Sequence, residues 1–131
     1  MIQNIIYISK ADKELSKFEI KELVFFARVK NREEKITGFL IHQNGYFIQW
    51  IEGPSENVLH LLEKIKQDSR HQSLKVLVNR KLESPVYNNW RMRYLTDIEK
   101  LKIGDFESLY SESGGKDIVD ILNKIMLDFV A

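Results

Sequence analysis

The chain has 131 residues, 44% hydrophobic and 30% charged, a balance that suits one globular domain with a modest tail and is too apolar for disorder. With 20 basic and 19 acidic side chains, the formal net charge of +1 supplies no field to recruit nucleic acid or anionic lipid. The lack of cysteine excludes disulfides, thiolate nucleophiles and cysteine-ligated metals. Met1-Ile2-Gln3-Asn4 does not begin a secretory signal, and no apolar run approaches the roughly 20 residues of a membrane helix. The expectation is a cytoplasmic protein.

Ile2 to Ile8 reads as a short buried strand, with Ile5 and Tyr7 on one face because side chains alternate. Ser16-x-x-Glu19 is a capping box, and Ile20, Leu23, Val24 and Ala27 behind it recur at helical spacing, predicting a helix to about Val29. Ile36 to Ile41 and Tyr46 to Glu52 flank Asn44-Gly45, a dipeptide suited to a tight hairpin turn. On the second of these strands Phe47, Gln49 and Ile51 share a face, so a polar amide sits between apolar neighbours.

Gly53-Pro54-Ser55 is expected to break that strand and cap a second helix, whose stripe is Val58, Leu61, Leu62 and Ile65. Leu74, Val76 and Val78 alternate in a fourth strand, and Trp90 to Leu95 reads as a fifth. A second capping box, Thr96-x-x-Glu99, opens the tail. Its helix carries Ile118, Ile121, Leu122, Ile125 and Phe129 on one stripe, suited to covering the free sheet face or to an oligomer interface. The order predicts an α+β fold, a ferredoxin-like mixed five-stranded sheet with two helices on one face and a C-terminal helical extension. The expected division is residues 1–95 and a tail over 96–131.

Signals for catalysis are sparse. His42, His60 and His71 lack neighbours at metal-ligand spacing, so no metal site is expected. No phosphate-cradling glycine motif or nucleophile elbow occurs, and Ser9-Lys10-Ala11-Asp12 is a poor phosphate loop for an acylphosphatase-type hydrolase. Asp68 and His71 suit an acid–base pair or ordinary polar residues at a helix end. The expectation is that the chain is not an enzyme.

The inward polar residues are more informative. Tyr7 lies on the first strand, Gln49 on the third and Asn31 just beyond the first helix. If those strands are neighbours, Tyr7 and Gln49 meet on the helix-facing side of the sheet. A buried glutamine left unpaired is costly, so it either satisfies Tyr7 within the core or shares its bonds with a polar planar ligand between the helices.

Several segments resemble the BLUF family, blue-light sensors using flavin adenine dinucleotide. They are Ile5-Ile6-Tyr7-Ile8-Ser9-Lys10-Ala11, Asn31, Ile36-Thr37-Gly38-Phe39-Leu40, Gly45-Tyr46-Phe47-Ile48-Gln49-Trp50-Ile51-Glu52-Gly53, Asp68-Ser69-Arg70-His71 and Asn89-Trp90-Arg91-Met92. They occur in order, with family-like spacing, over about residues 1 to 95. The resemblance implies that Tyr7 is a photoactive tyrosine giving an electron and then a proton toward excited flavin. It implies that Gln49 bridges the phenol to the flavin ring and that Asn31 bonds the ring's polar edge. Leu23 and Ile65 match the apolar clamps on the two ring faces, and Asp68, Arg70 and His71 match a polar cluster near the ring's pyrimidine end. Lys30 stands where many family members carry asparagine or histidine directly before Asn31; a flexible cation there reaches a flavin carbonyl or points to solvent, and it is counted with the cofactor contacts.

Trp90 and Met92 match the family's switch strand, where one of them sits near Gln49. Being two apart, they are expected on the same strand face. Trp50, by alternation, is expected under the tail helix. The resemblance implies FAD as a non-covalent cofactor. Since no covalent bond forms, the dark state is expected to recover by heat, and a sequence that ends soon after the tail helix is expected to leave output to self-association or a separate downstream protein. Charge and hydropathy give no direct role for nucleic acid or membrane. The alternative is a ferredoxin-like interaction module without a cofactor.

Overall fold

The alternating first segment forms β1 (Ile2–Ala11), which lies inside a five-stranded sheet in the computed structural model of the chain. Residues 2–11, 16–43, 45–68, 71–87, 89–96 and 118–130 are described. The elements that follow are α1 (Lys17–Glu33), β2 (Thr37–Gln43), β3 (Tyr46–Pro54), α2 (Ser55–Gln67), β4 (His71–Leu82), β5 (Arg91–Thr96) and a tail helix α3 (Ile118–Val130). The sheet order is β4-β1-β3-β2-β5, antiparallel throughout except for the parallel β2–β5 pair. This is the ferredoxin-like α+β plan with one added strand.

The capping box starts α1 as expected: the Glu19 N–H donates to Ser16 Oγ at 3.1 Å, and the Ser16 N–H donates to Glu19 Oε1 at 3.3 Å. The helix runs one turn past Val29, so Asn31 lies in its last turn rather than beyond it. Lys30 and Arg32 favour that extension, because cations stabilise the negative end of the helix dipole. Asn31 thereby joins the stripe of Leu23 and Ala27, at i+4 steps along one face.

The second helix begins differently from its expected cap. β3 continues through Gly53, which pairs with Gln3, to Pro54. Ser55 makes no cap bond, and its hydroxyl donates to Gln3 Oε1 at 3.2 Å instead. Asn57 donates to the Glu34 carbonyl at 2.8 Å, tying the start of α2 to the end of α1. β4 is longer than the Leu74–Val78 alternation suggests, because it follows β1 along the whole edge with two register shifts. Gly45, at φ +81°, turns the hairpin; Asn44 lies outside the described residues, as does the Thr96-x-x-Glu99 box beyond Thr96.

Two apolar layers flank the sheet. On one side, Ile20, Leu23 and Val24 of α1 pack with Leu40, Phe47 and Met92, while Val58 and Leu62 of α2 pack with Ile5, Tyr7 and Ile51. On the other, Ile118, Leu122, Ile125 and Met126 of α3 cover Ile6, Ile8, Ile41, Ile48 and Trp50. Each such side chain contributes roughly 1.5–3 kcal/mol on burial, which holds the tail helix to its own sheet. Trp50 lies under this helix, as its alternation with Gln49 predicts.

Candidate flavin site

The site is created by the β1–β3 register. Tyr7 and Gln49 are direct partners across the antiparallel pair, and Leu40 faces Gln49 from β2. Their side chains project between α1 and α2, where the Tyr7 hydroxyl donates to Gln49 Oε1. The other end of the amide, Nε2, donates to the Met92 thioether at 3.1 Å. All three side chains are buried. Gln49 therefore bridges a phenol on one strand and the sheet-edge strand β5.

A cavity of about 260 Å³ opens beside this bridge. Seven of the expected contacts line it: Tyr7, Leu23, Lys30, Asn31, Gln49, Ile65 and Asp68. Arg70 lies outside the described residues, and so does the side chain of His71, which begins β4. Ala27, Leu40, Leu61 and Lys64 also line the cavity but escaped the sequence reading. Their signals are positional: Ala27 lies one turn from Leu23, Leu61 one turn from Ile65, and Lys64 beside it. Leu40 becomes visible only once the strands are in register.

Asn31 decides what kind of ligand the cavity suits. Its side chain is 1% exposed, and neither Oδ1 nor Nδ2 has a hydrogen-bond partner among the described residues. An amide buried without partners costs about 1–3 kcal/mol, so it marks a site for a ligand carrying both donors and acceptors. Apolar side chains from the two facing helices supply flat walls, with Leu23 on α1 and Ile65 on α2. A planar heteroaromatic ring with an amide-like edge fits this donor set. Lys30 extends to the rim, where it pairs with Glu34 at 3.6 Å.

The Tyr7 phenol is held well above the ordinary tyrosine value, first by burial and then by the negative Asp68. The folded protein binds this proton more tightly than the unfolded chain does. The associated stability is complete below about pH 10 and drains away as pH rises toward the folded value. Urea midpoints should hold steady from about pH 8 to 9.5 and fall by about pH 11, with a smaller fall in Tyr7→Phe. Equal falls in both proteins would remove Tyr7 as the cause.

The switch-strand residues do not share a face. Met92 points to Gln49, whereas Trp90 packs on the opposite side with Phe39 and Tyr87. The cause is a bulge: Gly38 pairs with Arg91 and Phe39 with Arg93, leaving Met92 as the extra residue at φ +71°. Arg28 Nε fixes this bulge from α1 by donating to the Met92 carbonyl at 3.1 Å. Gly38 allows the close approach on the β2 side, since at φ +142° a Cβ would lie 1.8 Å from the Trp50 carbonyl oxygen.

A family model described as BLUF, sensors of blue-light using FAD, matches residues 2–93. The chain belongs to the BLUF family. The beta subunit of the photoactivated adenylate cyclase of Euglena gracilis is 34% identical over 92 residues, which are 70% of this chain and 11% of that protein. The corresponding subunit of Euglena longa is 32% identical over 94 residues, again 70% of this chain and 11% of that protein. The chain thus spans about a tenth of the curated relatives it matches. A bacterial light-regulated adenylyl cyclase superposes with TM-score 0.73 and 27% identity over 98% of this chain and 35% of that one. The BLUF protein BlrB, in its dark state, superposes with TM-score 0.82 and 23% identity over 98% of this chain and 96% of that one. BLUF domains are flavin-binding sensor modules, and FAD is the cofactor of the family. No helix among the described residues is long and apolar enough to cross a membrane.

Proposed function

We propose that this BLUF chain is a cytoplasmic blue-light photoreceptor without turnover of its own, signalling through rearrangement of the Tyr7–Gln49 hydrogen bonds. Bound FAD supplies the chromophore, a redox-active ring that absorbs blue light. Tyr7 and Gln49 are the photoactive pair, and Asn31 anchors the polar ring edge with its unspent donor and acceptor. Leu23 and Ile65 hold the ring between α1 and α2. Asp68, Arg70 and His71 form the polar cluster near the ring's pyrimidine end, and Lys30 reaches toward a ring carbonyl.

The observation that carries this reading is the two-ended use of Gln49. Its Oε1 accepts from the Tyr7 hydroxyl while its Nε2 donates to Met92 Sδ. Thioether sulfur is a weak acceptor, so the Nε2 contact is readily exchanged. Rotation of the amide swaps donor and acceptor ends without backbone movement. Tyr7 then meets a donor instead of an acceptor, and β5 loses or gains a contact at Met92. The phenol keeps its proton in the dark, and burial together with Asp68 disfavours the phenolate. Since the chain has no cysteine, no cysteinyl adduct forms and the dark arrangement returns by thermal relaxation. Output passes to a separate downstream protein or to a second copy of the chain.

The test is an absorption spectrum of the purified protein before and after blue illumination. A yellow protein whose flavin bands move slightly to the red and relax in darkness is expected. A colourless protein that takes up no added FAD would instead support an interaction module without a cofactor. Bound flavin without a reversible shift would refute the sensor reading while leaving the cofactor in place.

A further inference from the structure

On the sheet face away from the flavin cavity, Glu52 is a fully buried carboxylate at the end of β3. It accepts from the backbone N–H groups of Val86, at 2.9 Å, and of Tyr87, and from the Trp50 indole Nε1 at 3.3 Å. A carboxylate only accepts, so holding two successive amides fixes the connection between β4 and β5 where no strand pairing does. Tyr87 is the residue so held. Its ring meets Trp50 edge-on at 5.1 Å and stacks with Trp90 at 4.9 Å. Its hydroxyl donates to Asn123 Oδ1 of α3 at 2.6 Å.

The same stretch of chain reaches the Gln49 bridge. The Trp90 N–H donates to the Tyr87 carbonyl at 3.1 Å, and the Trp90 carbonyl accepts from Gly38 at 2.8 Å. Met92, on the other face, receives Gln49. Residues 87–92 therefore have the tail helix at one end and the photoactive amide at the other, with the bulge at Met92 carrying the path through the sheet. Burial, and secondarily Glu52, push the Tyr87 phenol up to about 12.

We propose that the Tyr87–Asn123 hydrogen bond is the output contact of this protein, and that Glu52 is the positioning residue that aims Tyr87 at the tail helix. The inference rests on the photosensor reading of the Tyr7–Gln49–Met92 bridge. A change at Met92 moves the backbone of β5, the Trp90–Tyr87 stack follows, and α3 keeps or loses one discrete bond while its apolar stripe stays seated on the sheet. One such bond biases a two-position helix by about twofold to tenfold, enough for a switch and small enough to be reversed.

Because the chain has no cysteine, Lys124→Cys on the exposed side of α3 accepts a single nitroxide label beside Asn123. Flavin absorption and label mobility are then recorded in the same full-length sample, dark and illuminated. The labelled parent should show both a flavin shift and a light-induced mobility change. Adding Tyr87→Phe keeps the ring and deletes the hydroxyl, and adding Asn123→Ala deletes the acceptor. Each should retain the flavin shift and lose the mobility change by at least about threefold. Glu52→Gln should do the same, since its amide loses one acceptor oxygen. A full mobility response in a folded Tyr87→Phe or Asn123→Ala protein overturns the proposal, as does a shifting parent with a silent label. A parent without a flavin shift fails at the photosensor reading and takes the output contact with it, and the absorption trace identifies that case.

Discussion

Replacing Gln49 by leucine is expected to abolish the light-induced red shift while FAD stays bound. Leucine nearly matches the buried volume of glutamine, so Leu40, Phe47 and the two helices keep their packing. What disappears is a side chain that accepts from Tyr7 and donates to Met92. Losing the acceptor of a buried hydroxyl costs about 1–3 kcal/mol, a modest part of the stability of such a domain. The photochemical loss should be complete, because leucine offers neither the acceptor that meets the phenol nor the donor that meets Met92. Tyr7→Phe should likewise bind flavin and show no normal shift. Difference spectra under blue light, with bound flavin quantified after denaturation, check both variants. A normal shift in Tyr7→Phe would sink its role as photoactive donor, and one in Gln49→Leu would sink the bridge.

The Asn31→Leu variant should produce effects of opposite sign in the free and loaded protein. In the free protein both polar atoms of this buried amide lack partners among the described residues, so an apolar replacement of similar size should raise stability by about 1–2 kcal/mol. In the loaded protein the same change removes the hydrogen bonds to the ring edge, weakening FAD by about tenfold to a hundredfold. Urea unfolding of flavin-free protein measures the first effect, and titration with FAD the second. A purely structural asparagine would lower stability in both states. That result would leave the cavity without its polar anchor and would weaken the flavin geometry proposed for α1.

Both variants act on residues whose importance is only partly visible along the chain. Periodicity places Tyr7 with Ile5, and Gln49 with Phe47 and Ile51, on inward faces, because a strand alternates strictly. It does not say that they meet. They are 42 positions apart, and a register slip of one residue would turn one of them to the tail-helix face. Asn31 illustrates a different limit. Helix ends depend on caps and charges over the last turn, and one extra turn converts a residue beyond the helix into a wall of the cavity. Glu52 shows a third. It occupies the Trp50 side of β3 by simple alternation, yet nothing local marks it as the acceptor for a loop more than thirty residues later.

The switch strand returns to the same point from the other direction. Trp90 and Met92 are two apart, which on a regular strand means one face. The β2–β5 pairing inserts a bulge at Met92, and the pair divides between the flavin cavity and the tail-helix core. By itself the sequence determined the element order, the capping of α1, the apolar stripe of α3, and the ordered motifs of the BLUF family. These depend on neighbours within a few residues, where backbone geometry and hydrophobic spacing act directly. Only the tertiary structure decided that Gln49 holds Tyr7 and Met92 together, that Asn31 is buried without partners, and that Trp90 leaves the site. Those outcomes depend on register and on a single extra residue in a ladder, quantities set by the packing of distant segments against one another.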